Sequence, residues 1–443
     1  STDSRTCEMG SLFISLETSS TKAHGHVLTA IAKGSTGVLS QHDWHFEGVS
    51  LFVVYDTNEA LYDLAGLWRK QFKIPVIAVA GNVGKTTTKE MIAHLLEASG
   101  KKVLKTEESQ NGFQGIPATL IRLRPEHEVA VIEVGIDEPN TMLLHARHVK
   151  PTNLIISSLG AEHLEKLKDP DNAAREEFEL AIWGYRNGAS MILNGDNDYC
   201  RNLAFTHLKE GDFSFYSLDP LSKDGLGSRL RCLGYYEGNT LRVADLIDDK
   251  SFLVTSNLPG THNALNLLGA VTTLLSMGID SKKIQASSQK SNFASGRSEL
   301  RIGPKGATFL CDYYNASPAS MAAAFATIRE LRKSNSQGRI WLCLGDMLDL
   351  GAMEEIYHRQ LAEILPAESI LFSFGKRMLW TQDQLQKNIP HAQRKHFDSL
   401  EEMAHALYSS ISASDLVLIK GSRGMAMEGV WSELVNLESK KIS

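Results

Sequence analysis

The sequence predicts an α/β chain of three domains. These are a small N-terminal α/β domain over residues 1–72, a central domain with a mostly parallel sheet over 73–294, and a C-terminal Rossmann-like domain over 295–443. Three observations carry that reading. At 443 residues the chain exceeds what one hydrophobic core usually holds. Val76 to Ile92, VIAVAGNVGKTTTKEMI, reads as buried strand, glycine loop and amphipathic helix, the unit around which a parallel sheet is wound. From about Ser295 the alternation of strand and helix patterns begins again.

Composition narrows the class. With 42% hydrophobic and 22% charged residues the chain has material for real cores and no disordered majority. A net charge of −6 and the lack of any long Lys/Arg run argue against a nucleic-acid partner. The five cysteines, Cys7, Cys200, Cys232, Cys311 and Cys343, have no Cys-x-x-Cys spacing, so reduced thiols are expected rather than a zinc site or disulfide framework. No stretch reaches the roughly 18 apolar residues of a membrane span, and STDSRTCEMG lacks a signal-peptide core. A cytoplasmic monomer is the expectation.

In the first domain, strand-like runs at Leu12–Leu16 and Leu51–Tyr55 alternate with helical stretches at His26–Lys33 and Ala60–Gln71. Polar residues crowd around Asp3, Ser4 and Arg5 and again from Thr18 to His26, as a solvated loop or as a ligand site.

The central domain opens with the glycine loop. Gly81, Asn82 and Gly84 would turn backbone N–H groups toward a phosphate, Lys85 would add a point charge, and the Thr86 hydroxyl, with Thr87 beside it, stands at the positive end of the helix where Mg²⁺ is ligated. The full Walker pattern would have a glycine where Val79 stands, so the motif is the shorter G-N-V-G-K-T-T-T form. A tight strand-to-helix turn is the bland alternative. The expectation is a P-loop-type ATPase domain, with further strands at Lys102–Leu104, Val129–Val134, Asn153–Ser157 and Ser190–Leu193. Glu133 and His163 follow strand patterns and so fall at the edge where ligands bind, an acid and an imidazole suited to Mg²⁺. Arg229–Asn257 alternates around a Glu-Gly-Asn turn and reads as a hairpin. His262, Asn263 and Asn266 then occupy the first turns of an apolar helix, as caps or as groups facing a base.

In the third domain strands are expected at Thr308–Asp312, Arg339–Leu344, Ile370–Phe374 and Leu416–Ile419, with helices near 319–332, 354–364 and 425–437. Asp312, Asp346 and Lys420 fall at strand ends facing the crevice.

Nearly end to end, the motifs resemble the Mur ligase superfamily, the ATP-dependent amide ligases of peptidoglycan synthesis. They are DSR with GSLFISL, GNVGKTTTKEM, TEESQNGFQGIPATL, EVG, AEHLE, LPGTHNALN, GRSE, DYYNASPASM, LGDMLDLG and KGSRGMAMEGV. The last three are most similar to the branch that joins D-alanyl-D-alanine to a UDP-muramyl tripeptide. The resemblance implies that Lys85 and Thr86 hold the β/γ-phosphates and Mg²⁺, with Glu133 and His163 as magnesium ligands. It implies that Asn263 and Asn266 read adenine and that Arg297 and Asp312 reach the nucleotide from the third domain. Asp3, Ser4, Arg5, Gly25 and His26 would grip the UDP-sugar, and Thr106 and Asn111 would lie in the loop approaching the metals and the substrate carboxylate. The dipeptide would sit near Asn315, Ser317 and Ser422. ATP would phosphorylate the substrate carboxylate and an amine would displace the phosphate, so Arg297 and Asp312 imply closure of the third domain onto ATP. A lysine in an exposed loop, as Lys85 is expected to be, would contribute little to stability.

Departures qualify the match. The family's T-x-x-N-x-N-N-x-x-G loop has Ser109 and Gly112 in place of asparagines, Y-N-A-N-P has Ser317, EVGIDEPNTM differs from the usual acceptor region, and the family's carbamylated lysine aligns with Arg175. Arg175 is expected at the margin of a buried helical stripe formed by Ala174, Phe178, Ala181, Ile182 and Tyr185. A guanidinium cannot be carbamylated, so Arg175 is expected in the site but turned toward a phosphate oxygen, Glu176 or Glu177, with one of those acids or water and ATP holding a second metal. A Mur-type ligase for another amine or acyl substrate, or an ATP-binding relative without turnover, remains open.

Overall fold

The computed structural model describes residues 1–16, 20–136, 138–208, 213–289, 297–334 and 337–442. The expected boundary between 294 and 295 lies outside the described residues, as do Asp137 of the EVGIDEPNTM stretch and Thr18 of the first polar segment.

Three sheets follow one another along the chain. The first is parallel, in the order β1 (Leu12–Ile14), β2 (Gly37–Ser40), β3 (Ser50–Val53). Helices Ser20–Ala32 and Thr57–Arg69 connect and follow these strands. Asp56 starts the second helix by accepting from the Asn58 and Glu59 N–H groups, which would otherwise be unpaired.

The central sheet is built from β4 (Val76–Ala80), β5 (Val103–Lys105), β6 (Val129–Glu133), β7 (Asn153–Ile156), β8 (Ser190–Asn194), β9 (Phe213–Ser217), β10 (Leu230–Glu237), β11 (Thr240–Asp245) and β12 (Lys250–Thr255). Its order is β12-β11-β10-β9-β8-β7-β4-β6-β5. All pairs from β5 to β10 are parallel, and the predicted hairpin is the antiparallel end. That segment is a three-stranded meander rather than a lone hairpin, and β10 pairs with β9 to extend the main sheet. Because β4 lies between β6 and β7, the chain leaves it first to one side and then to the other, so the loop after β4 sits at a topological switch point.

Every residue of β4 is buried, as its unbroken apolar run predicts for a strand covered on both faces. Val76, Ala78 and Ala80 pack with Phe178 and Ala181 of the helix Pro170–Asn187. Ile77 and Val79 pack with Met91 and Ile92 of the helix Lys85–Ala98 and with Leu267 and Val271 of the helix Thr261–Ser276. Each large apolar side chain so buried contributes about 1.5–3 kcal/mol, which holds both helix starts rigidly over the sheet edge.

The third sheet has the order β13-β14-β18-β15-β16-β17. Its strands are β13 (Glu299–Ile302), β14 (Thr308–Asp312), β15 (Ile340–Gly345), β16 (Ser369–Phe374), β17 (Arg394–Phe397) and β18 (Leu416–Lys420). Only β13 runs antiparallel. Asp346 does not face the crevice as expected: it is buried and accepts from the Arg377 and Met378 N–H groups, starting the helix Met378–Asn388. The five cysteines are buried and unpaired, and among the described residues no helix is long and apolar enough to cross a membrane.

Candidate active site

The loop after β4 is shaped by two glycines with φ of 119° at Gly81 and 93° at Gly84, a region that side-chain-bearing residues rarely adopt. Space imposes the same choice. A Cβ on Gly81 would lie 2.5 Å from Ser157 Oγ, and one on Gly84 would collide with Asn266 Oδ1. Ser157 and Ser158, just past β7, donate to the Val83 carbonyl at 2.7 and 3.1 Å, so neighbouring strand ends fix the loop. The helix Lys85–Ala98 follows at once with no side-chain cap on its first N–H groups, which leaves them free for an anion.

Lys85 is not the exposed loop lysine expected from the sequence. It is 8% exposed, with Nζ 3.0 Å from Glu162 Oε2 and 3.7 Å from Glu177 Oε1. Burial alone would lower its pKa, but Glu162 and Glu177, with Glu133 behind them, outweigh that and hold it above its ordinary value. Glu177 has the opposite problem: burial pushes its carboxyl up to about 7, against the pull of Lys85 and of the Gly81 N–H, which donates to Oε2 at 3.0 Å. The positive charge therefore stays on Lys85, and Glu162 is its nearer counter-charge.

On the other side of the loop, Glu133 ends β6 with its Oε1 accepting from Thr86 Oγ1 and Asn111 Nδ2, both at 2.8 Å. Its Oε2 is buried without a hydrogen-bond partner, 3.7 Å from Lys89 Nζ. A hydroxyl and a carboxylate beside the phosphate loop, with an orphaned carboxylate oxygen, form a donor set that fits a hard oxygen-seeking cation such as Mg²⁺. Thr106, expected to approach substrate, is instead fully buried, and its hydroxyl accepts from the Glu133 N–H at 2.9 Å. It positions Glu133. His163 is half-buried at the start of the short helix Leu164–Leu167, its Nε2 3.8 Å from Glu162 Oε1. No hydrogen bond or ion pair joins it to Glu133 or Thr86; it opens on a separate cavity of about 400 Å³ shared with Phe113 and Asp349.

Asn82, Gly84, Thr87, Asn263, Asn266, Arg297, Asp312, Asn315 and Ser317 line one cleft between the central and third sheets. The Asn82 Nδ2 is buried there without a partner, while Asn263 spends its Nδ2 on the Pro259 carbonyl at 2.7 Å. Arg297 stacks on Tyr314 at 3.8 Å and donates to Ser109 Oγ at 2.7 Å, and Ser109 in turn lies 3.2 Å from Thr86 Oγ1. The third sheet thus already touches the phosphate side. Burial opposes ionisation of Asp312, but Lys420 at 2.6 Å overrides it and keeps the carboxyl below its usual range. Ser422 is buried and spent, donating to the Ala316 carbonyl and accepting from the Leu348 N–H, so it braces the loops rather than facing a ligand.

A second pocket of about 540 Å³ gathers Asp3, Ser4, Arg5 and His26, with Gln114 added from the central block. Arg5 donates to both Asp3 carboxylate oxygens, at 3.0 and 2.8 Å, and holds that carboxyl down at about 2.

Arg175 does not reach the site. It is exposed, beside a cavity shared with Lys166 and Glu179, and forms no ion pair among the described residues. Glu176 accepts from the Met142 N–H and Glu177 from the Gly81 N–H, so neither turns to it. The buried stripe of its helix runs Ala173, Ala174, Glu177, Phe178, Leu180, Ala181, Gly184, leaving Tyr185 exposed. Two residues are about 200° of helical turn, which puts Arg175 nearly opposite Glu177. Lys89 was also missed. It is fully buried and donates to the Thr106 and Glu108 carbonyls, and its place one turn after Lys85 in GKTTTK was the available signal.

A phosphate loop on a parallel sheet, facing charged groups of a second sheet across a cleft, matches what the family comparisons find. The Mur ligase middle domain matches residues 79–274, and the Mur ligase glutamate ligase domain matches residues 296–423. The chain belongs to the Mur ligase family. Similar curated proteins are the UDP-N-acetylmuramoyl-tripeptide–D-alanyl-D-alanine ligases of Bacillus subtilis strain 168, 28% identical over 98% of this chain and 92% of the relative, and of Escherichia coli K12, 29% identical over 97% and 92%. Among solved structures, MurF from Acinetobacter baumannii superimposes with a TM-score of 0.83 at 24% identity, over 98% of this chain and 93% of that one. MurF from Thermotoga maritima in complex with ADP gives 0.80 at 20%, over 100% and 98%. These likenesses establish the three-domain fold.

Proposed function

We propose that this chain is an ATP-dependent, ADP-forming ligase that joins D-alanyl-D-alanine to a UDP-N-acetylmuramoyl tripeptide. Its domains are read as 1–72, 73–294 and 295–443, binding UDP-substrate, ATP and the incoming amine in turn. The observation that carries the reading is the cleft in which the phosphate loop faces Arg297 and Asp312. The tripeptide carboxylate attacks the γ-phosphorus of ATP, ADP leaves, and an acyl phosphate forms. The dipeptide amine then attacks the acyl carbon, loses a proton, and expels inorganic phosphate as the amide forms. Protein groups act by position and charge. Lys85 exchanges its carboxylate partners for phosphate oxygens, the open N–H groups of its helix hold the same anion, and Arg297 meets it from across the cleft. Mg²⁺, held by Thr86 and Glu133, would neutralise charge on the phosphates.

The cleft encloses about 100 Å³, below the roughly 300 Å³ lower end of ligand pockets, so its walls part to admit nucleotide and close again. Both walls come from one chain, so a monomer suffices, and the need for ATP favours the cytoplasm. Phosphate release from ATP with UDP-muramyl tripeptide tests the function, the amine varied through D-Ala-D-Ala, D-Ala-D-Ser, D-Ala-D-lactate and single amino acids. A clear preference for D-Ala-D-Ala is expected. Release with none of them overturns the reading, and preference for another acceptor would trace to the altered loop at Ser109 and Gly112.

A further inference from the structure

We propose that Glu177 is a direct ligand of a second divalent cation, on the side of the phosphate loop opposite Glu133. The inference rests on the ATP-dependent reading above and narrows the sequence expectation, which left a second metal to Glu176, Glu177 or water and ATP, to a single residue. Its basis is a symmetry of unmet bonding. Glu133 and Glu177 come from different elements, the end of β6 and the buried stripe of the helix Pro170–Asn187, and each is 1% exposed. Each is anchored by one oxygen: Glu133 Oε1 by Thr86 and Asn111, Glu177 Oε2 by the Gly81 N–H. Each leaves its second oxygen buried with no hydrogen-bond partner. Such an oxygen is costly unless something meets it.

The nearest cation to that oxygen of Glu177 is Lys85, at 3.7 Å, too far for a hydrogen bond, and Lys85 leans instead on Glu162 at 3.0 Å. When a polyphosphate enters, Lys85 is drawn to it, and Glu162 and Glu177 are left facing further negative charge. A buried and a half-buried carboxylate beside phosphate oxygens repel unless a cation is shared between them. Carboxylate and phosphate oxygens are what Mg²⁺ and Mn²⁺ prefer. One ion at Thr86 and Glu133 leaves the Gly81 side uncompensated, and the free Glu177 oxygen is the built-in ligand for another. Because this ligand is an unmodified glutamate side chain, the site needs no covalent modification, and the exposed Arg175 is irrelevant to it.

The test counts bound ions. Full-length protein is titrated with Mn²⁺ in the presence of the non-hydrolysable analogue AMP-PNP, bound Mn²⁺ is counted by electron paramagnetic resonance, and nucleotide affinity is measured by calorimetry. Wild type should bind two Mn²⁺ per chain. Glu177→Gln, isosteric and still able to accept from Gly81, should keep AMP-PNP and one ion while the other is weakened at least tenfold. A single ion in wild type, or two ions of unchanged affinity in Glu177→Gln, overturns the inference while leaving the ATP reading standing. No AMP-PNP binding by wild type overturns the ATP reading itself. Should Glu177→Gln fail to hold nucleotide, Glu177→Asp decides: a weakened second ion supports the assignment, and an unweakened one overturns it.

Discussion

The phosphate loop and the N-terminal pocket both rest on acid–base pairs, yet they are built in opposite ways. Around Lys85 the ionic groups are buried or half-buried, drawn from four separate stretches of chain, and tied to backbone as well as to one another. At the N-terminal pocket the pair comes from one three-residue stretch, and the Arg5 side chain is 84% exposed. A group whose charge must meet a transferring phosphoryl unit is preorganised in low dielectric, where reorganisation during reaction is avoided. Under the proposed function Arg5 would grip an exchangeable sugar nucleotide; it stays solvated, so its pair with Asp3 can be given up at little cost.

Removing Lys85 tests that contrast most severely. Lys85→Ala should lower turnover by at least about 10²-fold and, unlike a surface change, should also cost about 3 kcal/mol of stability, because Glu162 and Glu177 lose their counter-charge. Chemical denaturation of the variant checks the second part; wild-type stability would mean the pair is not buried in solution.

The seam between the first and central blocks supplies the next effect. His145, on the helix Thr141–Val149, faces the helix Thr57–Arg69, its Nδ1 2.9 Å from the Tyr62 hydroxyl, and burial lowers its pKa to about 4. Unfolded, it would titrate near 6.5. Between those values the unfolded chain binds the extra proton, so stability is present above pH of about 6.5 and falls as pH drops toward about 4, by up to about 3 kcal/mol. Urea unfolding midpoints across that window should show wild type losing stability relative to His145→Gln as pH falls; a difference between the two that does not change with pH would mean His145 is not buried in solution.

A smaller and more selective effect is expected at the open pocket. Arg5→Ala should raise KM for the UDP-substrate about tenfold, the loss of one charge-assisted hydrogen bond, with KM for ATP and the unfolding midpoint unchanged. Equal shifts in both KM values would show that the two sites are not independent. The smallest effect belongs to Arg175, where Arg175→Ala should change stability by less than about 0.5 kcal/mol and leave turnover alone. Turnover of wild type should likewise be indifferent to CO₂ depletion or added bicarbonate, and stimulation by bicarbonate would point to a modified lysine such as Lys166 or Lys168.

The same contrast explains what could be read from the sequence. Val76–Ala80 and the loop after it were legible because local chemistry alone demands an apolar run, two glycines and a lysine there. The central and third sheets followed from repetition of that pattern. Strands β2, β9, β13 and β17 were not foreseen: GVLS, ELRI and RKHF are only four residues each, and RKHF is a polar edge strand with no apolar alternation to betray it. Glu177 was named only beside Glu176, as a partner for Arg175 or as one of several possible holders of a second metal, because which face of a helix enters a site depends on what packs against it. An apolar stripe misjudged by one residue is rotated by about 100°. Ser109 looked like a loss of asparagine, and its value as a bridge between Thr86 and Arg297 exists only once two distant segments meet.

The five buried cysteines also have a consequence for following the molecule in motion. Cys7 belongs to the core of the first sheet, Cys200 and Cys232 to opposite faces of the central one, and Cys311 and Cys343 to a single face of the third. A thiol-specific alkylating reagent can reach each only when the surrounding structure opens. Mass-spectrometric readout of the order in which the five are labelled would therefore time the loosening of each layer separately, with no foreign probe introduced. Nucleotide should slow labelling of Cys200, Cys232, Cys311 and Cys343 more than that of Cys7.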